Sequence, residues 1–295
     1  MTASDPTPAQ EIPAPAQKSR AGRDLPAAIG VGVGLIGAVV VTLTWWHWGF
    51  ILMMALMFSL GAVEVYGALR RIGMNAAIVP IVAGTIAMQV GTYAAATLAG
   101  TTGIPWHSTL LGFLGATVLA AMIWRMPKGA KGYVADTSAS LFIISYIGLL
   151  GSFASLILAG EHGAARLVAF MLCIVGSDTG GYVAGVLFGR HPMAPTISPK
   201  KTWEGFVGSL IFAIAAGVAM MVFVLHAAWW IGVILGVVLV FFGTCGDLIE
   251  SMIKRDVGIK DMSRLLPGHG GAMDRLDSLL VAAPIAWVSM LVLVP

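Results

Sequence analysis

Long apolar segments alternate with short polar ones from about residue 26 to the end of the chain. A helix that spans a bilayer needs roughly 20 mostly apolar residues. The pattern predicts nine such helices, with boundaries accurate to several residues, and the seventh and eighth could be merged or shifted. They cover about 26–44, 48–69, 76–98, 107–125, 138–159, 165–188, 206–226, 229–245 and 277–294.

The composition supports a membrane protein. Hydrophobic residues make up 58% of the chain and charged residues 11%, whereas an ordinary soluble domain has about 25% charged residues. The mean hydropathy is +0.90, and a soluble core of this length could not bury so much apolar surface. The predicted fold class is therefore all-α: a polytopic integral membrane protein with about nine transmembrane helices.

The distribution of Lys and Arg predicts the orientation of these helices. If odd-numbered spans run outward, every cation except Arg166 lies in the N-terminal tail or in the connections 70–75, 125–137, 189–205 and 246–276. Cytoplasmic connections carry an excess of Lys and Arg. We therefore expect a cytoplasmic N-terminus, an external C-terminus and a location in the cell membrane.

Three regions follow from these patterns. Residues 1–25 are rich in Pro, Ala and polar residues and are expected to form a disordered cytoplasmic tail, without a signal peptide. Residues 26–160 form the N-terminal transmembrane helices. Residues 161–295 are expected to form a C-terminal transmembrane region that carries the candidate catalytic site on its cytoplasmic side.

The most charged segment of the chain is 246–278, between two apolar spans. It holds six acidic and five basic residues: Asp247, Glu250, Asp256, Asp261, Asp274, Asp277, Lys254, Arg255, Lys260, Arg264 and Arg275. We expect Asp247 to end one helix and Asp274 and Asp277 to begin the next, so that folding back brings these carboxylates together. The segment Pro267–Gly271 predicts a flexible turn whose backbone can approach a ligand closely.

Two polar clusters precede this segment. Asp178 lies inside the sixth predicted span, where a carboxylate is costly unless it faces protein, water or an ion. Gly176 and Gly180 give that span a small face that permits close helix packing, within one chain or between chains. The connection 198–205 contains Ser198, Lys200, Lys201 and Thr202 near a predicted helix start, a combination that suits a polyphosphate.

These residues suggest magnesium and phosphate chemistry, since Mg²⁺ commonly binds one or two carboxylates together with substrate phosphates. Structural explanations compete with this interpretation. Asp178 could bond neighbouring hydroxyls, the paired lysines could be a positive-inside anchor, and Thr202 or Ser198 could cap a helix. The charged segment could be a salt-bridged surface loop, and Glu64 could be either buried polar structure or a cavity wall.

The charged segment resembles the signature of the phosphatidate cytidylyltransferases (CDP-diacylglycerol synthases). The matching pattern is Ser251-x-x-Lys254-Arg255-x4-Lys260-Asp261-x5-Pro267-Gly268-His269-Gly270-Gly271-x-x-Asp274-Arg275-x-Asp277. The preceding Gly246-Asp247-Leu248-x-Glu250-Ser251, the segment Ser198-Pro199-Lys200-Lys201-Thr202-x-Glu204-Gly205, and Asp178-Thr179 with Tyr182 and Gly185 are also similar to that family. The resemblance covers roughly residues 170–285.

The resemblance implies transfer of a cytidylyl group from CTP to phosphatidate, giving CDP-diacylglycerol and pyrophosphate, with Mg²⁺ as cofactor. It implies a metal centre at Asp247 and Asp274, with Asp277 and Asp178 as weaker candidate ligands. The expected catalytic residues are Asp247, Asp274, Lys254, Arg255, Lys260 and Arg275. The expected substrate-binding residues are Ser198, Lys200, Lys201, Thr202, His269, Gly270 and Gly271.

Two other functions remain open from sequence. A CTP-dependent polyprenol kinase could use similar acids and lysines but would transfer the γ-phosphoryl group. A transporter would place charges across the bilayer midplane or show an inverted repeat, and the halves of this chain look unlike each other. The expected partners are CTP, phosphatidate and membrane lipids, with a homodimer as an option and no nucleic acid.

Overall fold

The computed structural model describes residues 25–103, 105–263 and 271–294. These residues form ten α-helices, one β-hairpin, a short 3₁₀ turn (Met126–Lys128) and a π-helical turn (Ile144–Leu149). In chain order the elements are α1 (Leu25–Trp45), α2 (His47–Arg71), α3 (Ile78–Thr102), α4 (Trp106–Arg125), α5 (Tyr133–Ile143), α6 (Leu150–Ala159), α7 (Gly163–Phe188), β1 (Pro192–Ala194), β2 (Ser198–Thr202), α8 (Trp203–Phe223), α9 (Trp229–Asp256) and α10 (Met273–Leu293). The predicted tail, apart from Leu25, lies outside the described residues.

The predicted all-α membrane fold is confirmed. Within the described residues, eight helical segments are long and apolar enough to cross a membrane, and α5 and α6 together form one of them. The predicted first span coincides with α1, whose apolar stretch Gly32–Trp45 is shorter than the eight segments. The predicted count of nine is therefore approximate, while each predicted segment overlaps a helix.

The prediction that Asp247 ends a helix is wrong. Helix α9 continues from the apolar span through the charged residues to Asp256. An ion pair one turn apart, between Glu250 Oε2 and Lys254 Nζ at 2.5 Å, supports this polar extension. Hydropathy falls after Cys245, but Glu, Lys and Leu are good helix formers, so the helix extends beyond its apolar part.

The sequence analysis did not predict the hairpin β1–β2. Among the described residues, it is the regular element that is not a helix. Its strands pair antiparallel, with Pro192 opposite Thr202 and Ala194 opposite Ser198. Thr202 also caps α8, since its Oγ1 accepts a hydrogen bond from the Gly205 N–H at 3.1 Å. The capping role predicted for Thr202 or Ser198 is therefore confirmed for Thr202.

Helices α7 and α8 pack at very short range through glycines. A Cβ on Gly176 would lie 3.2 Å from the Phe212 carbonyl oxygen, and Gly180 faces the backbone of Gly208. The predicted small face of α7 is confirmed, and this contact lies within one chain. The close packing places Ser177 beside Ser209 of α8, whose hydroxyl donates to the Ser177 carbonyl oxygen at 2.7 Å.

Both halves of the chain build the core. One hydrophobic cluster contains Phe50 of α2 with Phe170 and Leu239, and a second contains Ile147 with Leu280. The two predicted transmembrane regions, 26–160 and 161–295, therefore pack into shared clusters.

One end of the helix bundle collects the polar connections. The connections before α3 and after α4 meet there, because the Asn75 N–H donates to Asp136 Oδ1 at 2.5 Å and Arg125 Nε donates to Asp136 Oδ2 at 2.5 Å. The hairpin reaches α9 at the same end through an ion pair between Lys201 and Asp247. This end of the bundle carries the candidate site.

Candidate active site

Helix α9 presents a row of charged side chains on one face. Asp247, Glu250 and Lys254 are three and four residues apart, so they follow one another along the helix surface. Asp247 forms an ion pair with Lys201 of β2. Its other oxygen, Oδ1, accepts a hydrogen bond from the Ser278 hydroxyl at 2.6 Å. The hairpin, α9 and α10 therefore meet at the Asp247 carboxylate.

Lys254 joins two carboxylates from different helices. Its ammonium group lies 2.5 Å from Glu250 Oε2 and 2.5 Å from Asp274 Oδ1. Asp274 Oδ2 accepts a further hydrogen bond from the Gly271 N–H at 2.7 Å. All three charged side chains are largely buried, so removing one would leave an uncompensated charge in a poorly hydrated place.

A close crossing of α9 and α10 holds these groups together. A Cβ on Gly246 would lie 2.5 Å from the Asp277 carbonyl oxygen and 3.0 Å from Ser278 Cα, so only glycine fits without displacement. The crossing places the Asp277 carboxyl group beside Asp247, close enough for the two groups to interact electrostatically. The carboxylate next to Asp247 is thus Asp277, while Asp274 interacts with Lys254 and lies beside Glu250.

A cavity of about 320 Å³ opens beside Asp247. Its lining includes the predicted residues Asp178, Ser198, Lys200, Lys201, Thr202 and Asp247. Asp178 lies close enough to Asp247, Lys201 and Arg275 for their charges to interact. The α7 and hairpin clusters, which are separate in sequence, therefore share one cavity with α9.

The remaining predicted basic residues lie outside this cavity lining. Arg255 is exposed, and its Nε donates to the Ile197 carbonyl oxygen of the hairpin loop at 3.4 Å. Lys260 lines a second cavity, of about 510 Å³, together with Arg71 and Asp261. Arg275 is exposed on the first turn of α10. Of the predicted glycine-rich turn, His269 and Gly270 lie outside the described residues, and Gly271 is buried.

Two residues of the N-terminal half also reach the site: Glu64, for which the sequence left buried polar structure or a cavity wall open, and Tyr146, to which it assigned no role. The Glu64 carboxylate accepts hydrogen bonds from the N–H groups of Ala272 and Met273 at 2.9 and 2.8 Å, and from the Ser263 hydroxyl at 2.5 Å. Tyr146 lies near Asp247, Glu250 and Asp277. An acid inside a span marks Glu64 as functional, but no sequence pattern marks Tyr146.

The donor set suits a hard divalent cation that also binds substrate phosphate. In the part of the chain that the structure describes, no group of three or more His, Cys, Asp or Glu side chains is arranged to hold a metal by itself. Magnesium often binds only one or two carboxylates and takes its other ligands from water and phosphate. The adjacent carboxylates of Asp247 and Asp277 fit that requirement.

Comparison with known proteins identifies the family. The sequence profile of the cytidylyltransferase family matches residues 26–293. The chain belongs to this family. The match includes the N-terminal helices, beyond the residues 170–285 on which the resemblance rested.

Individual relatives agree with the family assignment. A protein named phosphatidate cytidylyltransferase from Mycobacterium leprae is 41% identical over 295 residues, covering 94% of this chain and 90% of the relative. A protein of the same name from Mycobacterium bovis is 40% identical over 290 residues, covering 94% and 92%. One from Staphylococcus saprophyticus is 41% identical over 151 residues, or 51% of this chain. The resemblance inferred from the charged segment is confirmed.

Proposed function

We propose that this protein is a phosphatidate cytidylyltransferase, which converts CTP and phosphatidate into CDP-diacylglycerol and pyrophosphate for phospholipid biosynthesis. The main support is the similarity to a relative of that name: the two chains are 41% identical, and the match covers 90% of the relative. The site adds physical support, because its lysines and carboxylates lie at the polar end of membrane-spanning helices. A lipid phosphate and a soluble nucleotide can meet at such a position.

The reaction joins two anions and needs no strong base. An oxygen of the phosphatidate monoester, which is ionised at neutral pH, forms a bond to the α-phosphorus of CTP. The bond from that phosphorus to the bridging oxygen breaks, and pyrophosphate leaves with that oxygen. The main barrier is electrostatic, so preorganised positive charge at the phosphoryl group is the chief contribution the site can make.

Lys201 and Lys254 are placed to supply that charge. Each lysine neutralises an aspartate in this structure: Lys201 pairs with Asp247, and Lys254 pairs with Asp274. Substrate phosphates compete for the same ammonium groups, so both lysines exchange carboxylate partners for phosphate oxygens on binding. Lys200, Ser198 and Thr202 contribute further contacts in the first cavity.

The other predicted basic residues act at the edges of the site. Lys260 and Arg71 offer positive charge in the second cavity, and Arg255 stabilises the hairpin loop. The positive charge of Arg275 interacts favourably with the Asp178 carboxylate. His269 and Gly270 stay predicted substrate contacts on sequence grounds alone.

Magnesium is the proposed cofactor. Asp247 and Asp277 supply adjacent carboxylate oxygens, with Asp274 and Asp178 as the further candidate ligands. When bound, Mg²⁺ neutralises charge on the transferring phosphoryl group and on the departing pyrophosphate. The chain's own contribution is to hold these oxygens at the crossing of α9 and α10.

The proposed location is the cell membrane, with the active site and the N-terminus in the cytoplasm. The support is the concentration of Lys and Arg at one end of the helices, where the site also lies. The partners are CTP, phosphatidate and membrane lipids. A homodimer stays a prediction, and the α7 glycine face does not favour it, since that face packs against α8 of the same chain.

The test is a turnover assay on purified protein with phosphatidate and CTP labelled at the α-phosphate. We expect label to enter lipid in a magnesium-dependent reaction, and we expect Asp247→Asn and Asp274→Asn to reduce this at least tenfold. Asp256→Asn is the matched control, because Asp256 is exposed at the end of α9. Its activity should stay within about twofold of wild type.

Other outcomes contradict the proposal. Label that stays in water-soluble CDP indicates the kinase reaction. Folded protein that consumes no CTP contradicts both enzyme functions. Equal losses in Asp256→Asn and Asp247→Asn would contradict the assigned site.

A further inference from the structure

A π-helical turn, Ile144–Leu149, lies between α5 and α6 within one membrane-spanning segment. Single π-helical turns inside α-helices are rare and often occur at functional sites. This turn contains Tyr146, whose side chain faces the protein interior and is only 7% exposed. Its ring stacks on Phe142 at 5.5 Å between centroids, so the position of the phenol is well supported.

The Tyr146 side chain lies close enough to the carboxylates of the site for their charges to act on it. Its charge environment includes Asp277, Glu250 and Asp247. Among the described residues, however, the Tyr146 hydroxyl has no hydrogen-bond partner. A buried hydroxyl without a partner loses its bonds to water and gains none in return, so such groups usually have an identifiable reason.

Glu250 has a complementary unpaired atom. The residue is 2% exposed, and its Oε2 atom accepts from Lys254 at 2.5 Å. Its other oxygen, Oε1, has no hydrogen-bond partner in the described part of the chain. A buried donor and a buried acceptor therefore lie in the same region, and each lacks the bond that the other can provide.

We propose that Tyr146 is a positioning residue, which donates its hydroxyl hydrogen to Glu250 Oε1 through one buried water. The bond holds the Glu250 carboxylate in one orientation. Glu250 in turn fixes the Lys254 ammonium between itself and Asp274. Tyr146 acts through Glu250 and Lys254, and the proposal rests on the proposed cytidylyl transfer for its kinetic consequences.

The kinetic test compares Tyr146→Phe with Tyr133→Phe. Phenylalanine keeps the aromatic contact with Phe142 and removes only the hydroxyl, so the variant should fold. We expect kcat to fall roughly 10- to 100-fold, as for other residues that orient a catalytic group, with KM for both substrates within about twofold. Tyr133 is the control, since its hydroxyl donates to the Met122 carbonyl oxygen at 3.2 Å, away from the site.

A double-mutant cycle tests the contact itself, independently of activity. Thermal unfolding is measured for wild type, Tyr146→Phe, Glu250→Met and the double variant. Methionine keeps the length of the side chain and removes the acceptor. We expect Tyr146→Phe to change the melting temperature in the wild-type background and to have little further effect beside Glu250→Met, because partners in one hydrogen bond are not additive.

Each contrary result overturns the proposal. The proposal fails if the kcat of Tyr146→Phe stays within twofold of wild type, or if Tyr133→Phe loses as much kcat. It also fails if the lower kcat of Tyr146→Phe is explained by a smaller fraction of folded protein. Additive changes in melting temperature would exclude the Tyr146–Glu250 contact. If wild type transfers no cytidylyl group, the proposed function fails, and the cycle still decides whether the contact exists.

Discussion

Glu64 links parts of the chain that are far apart in sequence. Its carboxylate accepts hydrogen bonds from the Ala272 and Met273 N–H groups, 208 and 209 residues away. These N–H groups lie at the start of α10, where a negative charge also interacts favourably with the helix dipole. Asp274, on the first turn of the same helix, depends on this anchoring for its position beside Lys254.

We predict that Glu64→Gln lowers turnover roughly 10- to 100-fold. The amide keeps one acceptor oxygen and turns the other end into a donor, which must face an N–H group. A hydrogen bond to a charged group contributes about 1.5–3 kcal/mol, and about 1.4 kcal/mol corresponds to a tenfold change in rate. Steady-state kinetics on the purified variant measure the effect.

Glu161→Gln is the matched control for Glu64, because Glu161 is exposed in the connection before α7. We expect its turnover and melting temperature to equal those of wild type. A Glu64→Gln enzyme with unchanged kcat would show that the anchoring of α10 is not needed for activity.

The crossing of α9 and α10 is the element-level feature on which the site depends. It joins the Asp247 carboxylate to the Ser278 hydroxyl at 2.6 Å and places Asp277 beside Asp247. Gly246 makes the crossing feasible, because a side chain there would collide with the α10 backbone. Backbone atoms cannot move aside as a flexible side chain can, so the helices would have to separate.

We predict that Gly246→Ala lowers both stability and activity. Overpacking a close contact typically costs about 1–3 kcal/mol, and separation of the helices lengthens the Ser278–Asp247 hydrogen bond. We expect a lower melting temperature and at least a tenfold loss of turnover. Thermal unfolding in detergent and the labelled-CTP assay measure the two effects.

Gly115→Ala in α4 is the control for this substitution, since nothing lies within 4 Å of a Cβ built there. Alanine is the better helix former by about 1 kcal/mol, so this variant should be as stable as wild type or slightly more so. If Gly246→Ala and Gly115→Ala have the same melting temperature and turnover, the site tolerates a wider spacing between α9 and α10.

At the scale of the whole molecule, the polar connections lie together at one end of the bundle. The contacts Asn75–Asp136, Lys201–Asp247 and Glu64–Ala272 connect the regions near the ends of α2, α4, α7 and α9. The opposite end includes Arg166, whose Nη2 donates to the Val294 carbonyl oxygen at 3.2 Å. The charge asymmetry of the sequence thus corresponds to two chemically different ends.

We predict that the end with the active site faces the cytoplasm. In a background with Cys173 and Cys245 changed to Ala, Glu161→Cys should react with a membrane-impermeant maleimide on intact cells. Lys131→Cys, in the connection before α5, should react only after the membrane is opened. The mass shift of each variant is measured before and after the membrane is opened. Labelling of Lys131→Cys but not Glu161→Cys on intact cells would contradict the orientation.

Much of the fold could be predicted because apolar length and cation distribution are local properties of the sequence. Helix α7, for example, was predicted at 165–188 and occurs at Gly163–Phe188. The polar extension of α9 was missed because hydropathy reports the membrane boundary and not the end of the helix. The hairpin was missed because it is short and rich in polar residues, so it has no apolar alternation.

The candidate site was predictable where its residues are close in sequence. Asp274 and Asp277 are three residues apart, and Lys200 and Lys201 are adjacent, so the charged segments were visible directly. Their pairing was not visible, because Lys201 meets Asp247 only through the folding of α7, the hairpin and α9. The roles of these residues stay predictions until the proposed variants are measured.

The membrane-spanning helical class, the gathering of cations on alternate connections and the family can all be read from the order of the amino acids. These follow from the free energy of placing each segment in lipid or water and from motifs contained in single segments. The tertiary structure alone decided that Asp277 is next to Asp247, that Lys254 joins Glu250 to Asp274, and that Glu64 and Tyr146 reach the site. The reason is physical: these contacts depend on helix crossings a few ångströms wide, which local sequence patterns do not specify.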